Sequence, residues 1–174
     1  DSLALNSGSI TDAAGNAATL THALVADNAS YLVDTTAPTA TITLSDTALK
    51  IGETSTVTVT FTEAVSGFDA SDLTVANGTL GAMSSGDGGV TWTGVFTPSS
   101  NIEDTSNVVI LGTGYTDAAG NSGTAATSAN YAVDTKAPTL VSSTPADNAT
   151  AVAVGSNIVL TFSENVIAGT GNFT

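Results

Sequence analysis

Tyr131–Thr139 reads YAVDTKAPT, and Tyr31–Thr39, 100 residues earlier, reads YLVDTTAPT. Each copy opens with the Tyr-x-Val alternation of a half-buried strand, and an Asp-Thr pair ends it. Ala-Pro follows, with proline fixing its own φ and holding the residue before it extended. The phrase therefore reads as a last strand running into a stiff connector. Its spacing is that of a small domain, so the chain is predicted to be a string of similar units.

Other landmarks keep the same step. TDAAGN stands at Thr11–Asn16 and at Thr116–Asn121, and VTVTFTEAV (Val57–Val65) has its counterpart in IVLTFSENV (Ile158–Val166). The longer stretch AATLTHALVADNAS before Tyr31 accounts for the wider spacing of the TDAAGN pair. Matched landmarks at near-constant spacing indicate tandem homologous units. Residues 1–36 are read as the last strands of one unit, 37–135 as a complete unit, and 136–174 as the first strands of the next. The start at Asp1 without Met and the end at GTGNFT suggest a window on a longer protein.

Within the complete unit, strands are expected near 39–45, 54–62, 72–76, 79–84, 89–97, 107–116 and 128–134. In the second of these, Val57, Val59 and Phe61 alternate with threonines, so one face is buried and the other hydrated. Val90, Trp92 and Phe96 share the inward face of the fifth, with Trp92 expected as the largest core residue. Short alternating strands with frequent turns, and no apolar period of a helix, predict an all-β chain. Its fold class is tandem immunoglobulin-like antiparallel β-sandwiches of about seven strands each, joined by short linkers.

Composition narrows the function. The 174 residues carry 16 Asp+Glu against 2 Lys+Arg, a formal charge of −14. Such a surface repels nucleic acid and anionic membranes and attracts cations. Cysteine is absent, so no disulfide staples the chain. No apolar run approaches the roughly 20 residues that span a bilayer. His22, the one histidine, lies in a lengthened loop and gives little basis for catalysis, so a non-enzymatic role is expected.

VDTxAPT, FTEAV/FSENV, GFDASDLTV and TDAAGN together resemble the bacterial Ig-like repeats of giant secreted and surface adhesins, of the biofilm-associated and RTX type. The resemblance covers the whole chain. It implies an extracellular or bacterial cell-surface location and a spacer role, with calcium rigidifying the junctions in several members. The implied partners are neighbouring repeats of the same chain. Lateral or end-to-end self-association through strand exchange, or a glycan- or receptor-binding face using Trp92 or Tyr115, stand as alternatives.

The acidic residues argue for a cation separately. In a seven-strand sandwich the chain alternates between two poles, and the second–third, fourth–fifth and sixth–seventh connections gather at the pole where it arrives. Glu63, Asp69, Asp72, Asp87 and Asp117 fall in those connections, and Asp34 arrives there from the preceding unit. A hard cation such as Ca²⁺ takes roughly 6–8 oxygens at about 2.3–2.6 Å, which carboxylates and loop carbonyls supply. The expected ligands are Asp34, Glu63 and Asp117 with Asp69 as a fourth, and Asp134 with Glu164 at the next joint. There Glu103 and Asp104 are expected in a facing loop. The alternative is that these aspartates only cap their own turns. The D-x-D-x-D-G spacing of an EF-hand is absent.

Overall fold

The computed structural model of the chain describes residues 7–21 and 33–170. His22 and the strand expected at Tyr31 lie outside the described residues. The chain divides into two compact units, Asp1–Asp34 and Thr35–Thr174. In the first, a Thr11–Ala17 bridge closes the TDAAGN loop.

Among the described residues the second unit holds thirteen strands, several of them fragments of one longer course. β1 (Ala40–Leu44), β3 (Ser55–Phe61), β7 (Thr91–Pro98) and β5 (Gly78–Leu80) follow one another across one antiparallel sheet, with β6 (Ser84–Ser85) also on β7. The opposing layer comes in two pieces. β2 (Ala48–Lys50), β11 (Tyr131–Asp134) and β8 (Glu103–Asn107) form one, and β10 (Ala126–Thr127), β9 (Ile110–Leu111) and β4 (Leu73–Thr74) the other. From β1 to β5 successive strands alternate between the layers, β5 to β7 stay in the first and β8 to β11 in the second, crossings that suit a Greek-key sandwich. The described residues contain no α-helix, only a 3-10 turn at Ala70–Asp72, and no helix long and apolar enough to cross a membrane.

β3 shows why the sheets stack. Val57, Val59 and Phe61 are buried, and their threonine neighbours point outward. They meet Phe96 from β7 and Leu111, Tyr115, Tyr131 and Val133 from the other layer. Each such side chain taken from water contributes about 1.5–3 kcal/mol. Tyr115, Tyr131 and Phe96 are the largest fully buried side chains. Trp92 is only half-buried: its ring meets Phe68 edge-on at 5.2 Å and its Nε1–H donates to the Gly89 carbonyl. It closes the margin of the core rather than forming its centre.

Two features depart from the expected strands. The first strand leaves its sheet after Leu44 and resumes as β2, which pairs parallel with β11. Ser55, buried beneath this crossing, accepts the Asp46 N–H at 3.0 Å and donates to the Asp46 carbonyl at 2.9 Å. Glu103 and Asp104 lie in strand β8, paired with Asp134 and Val133, and not in a loop. A network of side chains fixes that strand: buried Asn107 donates to the carbonyls of Asp104 and Tyr131 and accepts from Asn77.

β12 (Leu140–Thr144) and β13 (Val159–Phe162) pair as a hairpin that repeats β1 and β3. The repetition extends to the bond pattern. Thr62 N–H donates to Thr39 O and Thr39 N–H to Thr62 Oγ1; Ser163 N–H donates to Thr139 O and Thr139 N–H to Ser163 Oγ.

Candidate metal centre

The three connections do gather at the pole where the chain arrives. Ser66 and Thr116 exchange both backbone hydrogen bonds, and Val65 N–H donates to the Gly89 carbonyl. Glu63, just past β3, and Asp117, past β9, are thereby carried towards each other.

Asp34, Glu63 and Asp117 each present a carboxylate oxygen within 4.8 Å of the other two. Asp34 is exposed, Glu63 half-buried and Asp117 buried. Like charges this close repel unless a cation or protons offset them. Every donor is a hard carboxylate oxygen, without histidine or cysteine, which suits calcium or magnesium over zinc.

Asp117 is positioned by its own loop. Its Oδ1 accepts the Asn121 N–H at 2.8 Å and its Oδ2 the Asn121 side-chain amide at 2.7 Å. Gly120 makes the turn possible with φ of +91°, where other side chains are strained. The Asn121 side-chain amide, ahead of the backbone N–H groups of the turn, holds the Asp117 carboxyl below its ordinary pKa. Charged at neutral pH, each oxygen keeps lone-pair capacity for a further contact. The donor set therefore fits a hard divalent cation.

The Asn121 side-chain amide also reaches the Thr36 carbonyl at 3.4 Å, and the Pro38 carbonyl accepts from Thr124. Both copies of TDAAGN are built alike: Asp12 accepts the Asn16 N–H at 2.8 Å and its side-chain amide at 2.7 Å. The motif is thus a turn that orients its own aspartate, and capping and ligation are compatible roles.

Other acidic residues go elsewhere. Asp69 caps the 3-10 turn, taking the N–H and hydroxyl of Ser71 on Oδ1, and the Ser71 hydroxyl first of all lowers its pKa. Asp72 closes the same box through the Asp69 N–H. Asp87 accepts the N–H groups of Val90 and Thr91 and the Ser85 hydroxyl, and the Thr91 N–H leads in lowering its pKa to about 2. Asp134 and Glu164 line a cleft with Lys136, and the only group of three or more ligand-type side chains among the described residues is Asp34–Glu63–Asp117.

Lys136 was not singled out from the sequence. Its Nζ stands 2.9 Å from Glu103 Oε2, and Glu103 above all, with Glu164 and Asp134, raises its pKa. Thr135 was also missed as an anchor: its Oγ1 donates to Ser99 O at 2.7 Å and accepts the Ile102 N–H. The one available signal was the Thr36-to-Lys136 difference between otherwise matching connectors.

Tyr115 is fully buried and donates its hydroxyl to the Thr124 carbonyl, so it offers no stacking face for a sugar. A family model described as a bacterial Ig-like domain matches residues 34–133, and a second with the same description matches 134–174. The chain belongs to the bacterial Ig-like domain family. Bacterial Ig-like domains are generally structural, non-catalytic modules, and typically occur in surface or extracellular proteins. No curated protein matches the chain, and no solved structure does.

Proposed function

We propose that these bacterial Ig-like domains are non-catalytic spacers of an extracellular adhesin or fibre, and that calcium stiffens the connector at 33–36. The observation carrying this reading is the approach of Asp34, Glu63 and Asp117 within 4.8 Å, from three separate stretches of chain. Asp34 lies in the connector and the other two in the sandwich, so an ion held by all three ties one to the other. Asp69 would be a weaker fourth ligand, since its carboxylate already caps a turn.

Extracellular modules bind calcium with Kd of roughly 10⁻⁴–10⁻³ M. At a hundredfold excess of ion the linkage gain is about 2.7 kcal/mol. In the absence of the ion, mutual repulsion of the carboxylates would loosen the connector while the sandwich keeps its core. Small-angle scattering of the full chain tests this. The maximum dimension distribution should broaden when EGTA replaces calcium, with the melting transition of the sandwich retained. Identical curves under both conditions would rule the reading out.

A further inference from the structure

The connector at 133–139 matches the one at 33–39 except at one position, where Lys136 stands in place of Thr36. By the alignment of FTEAV with FSENV, Asp134 and Glu164 are the counterparts of Asp34 and Glu63. Two of the three carboxylates of the first site are therefore repeated here, and a lysine has been added.

The surroundings are specific. Lys50 and Lys136, the only two lysines of a chain without arginine, both line one cleft of about 790 Å³ together with Asp134 and Glu164. Lys136 Nζ bonds Glu103 Oε2 at 2.9 Å, and Lys136 N–H donates to Asp134 Oδ1 at 3.3 Å. Glu103 and Asp134 are opposite one another in the β8–β11 ladder, so the pairing fixes both ends of the bridge to the sandwich. From the hairpin side, Glu164 turns in an Oε1 that is buried and has no hydrogen-bond partner. An acidic oxygen in that state is stabilised by a positive charge close by.

We infer that the joint at 133–139 is closed by a built-in cation, the Lys136 ammonium, which pairs with Glu103 and offsets the charges of Asp134 and Glu164 across the cleft, and needs no divalent ion. A single exposed ion pair adds little, but here the ammonium that is bonded to the strand ladder through Glu103 shares its cleft with Asp134 of the connector and Glu164 of the hairpin. The same charge disfavours entry of a divalent cation. The chain would then carry two kinds of joint: one governed by calcium and one governed by its own lysine. Only the contrast with the first joint rests on the calcium reading; the lysine closure stands on its own geometry.

Because the chain contains no cysteine, two can be introduced for spin labels without background. Thr97→Cys on β7 and Thr161→Cys on β13 are both exposed and report across the second joint. In EGTA the full chain should give a narrow distance distribution, unchanged by added calcium. Lys136→Met should lose the narrow peak and Lys136→Arg should keep it, with Trp92 fluorescence showing the sandwich folded throughout. A distribution in the unsubstituted chain that is broad in EGTA and narrows with calcium would overturn the inference, as would a narrow one in Lys136→Met. A second pair, Thr11→Cys with Thr60→Cys, reads the first joint separately. No calcium response there removes the calcium reading and leaves the lysine closure standing.

Discussion

Asn121 grips Asp117 at both carboxylate oxygens, with its backbone N–H on Oδ1 at 2.8 Å and its side-chain amide on Oδ2 at 2.7 Å. The residue that shapes the turn is the one that aims the acid. Removing the amide frees the carboxylate to rotate without deleting a ligand. Partners of this kind change metal affinity by roughly 10–100-fold. Asn121→Ala should therefore weaken calcium binding at least about tenfold, read by calorimetry against the unsubstituted chain.

Asp87 gives a pH dependence with a definite sign. Its pKa is depressed from 3.8 to about 2 by hydrogen bonds to Thr91, Ser85 and Val90. A depressed carboxyl stabilises the fold above its unfolded pKa, and loses that contribution as pH falls through the folded value. Asp87→Asn should melt lower than the unsubstituted chain at neutral pH, and the difference should shrink between pH 3.8 and about 2. Trp92, which bonds the same loop at Gly89, is a convenient fluorescence probe. A difference that persists unchanged to pH 2 contradicts the assignment.

Gly123 lies directly against the Tyr115 ring, where an added Cβ would collide with Cε2 and Cζ. Gly123 N–H also donates to the Tyr115 carbonyl at 2.8 Å, so neither partner can easily retreat. Overpacking of this kind typically costs about 1–3 kcal/mol. Gly123→Ala should lower the unfolding free energy by that amount, read as a lower urea midpoint at unchanged slope, and no shift would mean the contact relaxes freely.

Phe96 is fully buried and packs edge-on against Tyr131, with ring centroids 5.4 Å apart. Phe96→Ala removes the contact between the layers and should cost about 3–5 kcal/mol. Equilibrium unfolding of the full chain measures it directly.

Much of this was legible from residue pattern. β3 shows its buried face in plain alternation, and the position of loops on alternating poles brings Glu63 and Asp117 together. What escaped did so for physical reasons. β8 reads EDTSN, a polar stretch held in the sheet by Asn107 and the Thr135 hydroxyl, with no apolar alternation to mark it. β2 is three residues long and pairs parallel with a strand more than 80 positions away, a register that local sequence does not encode. Asp69 is acidic and near the site, yet its bonds to Ser71 tie it to the 3-10 turn. Proximity in sequence cannot distinguish a capping carboxylate from one that faces its neighbours.

The most direct test of the central claim is calorimetric titration of calcium into the full chain and into its Asp34→Ala variant. The account predicts binding with Kd of roughly 10⁻⁴–10⁻³ M that Asp34→Ala weakens. No binding heat, or binding equal in the two proteins, would contradict it.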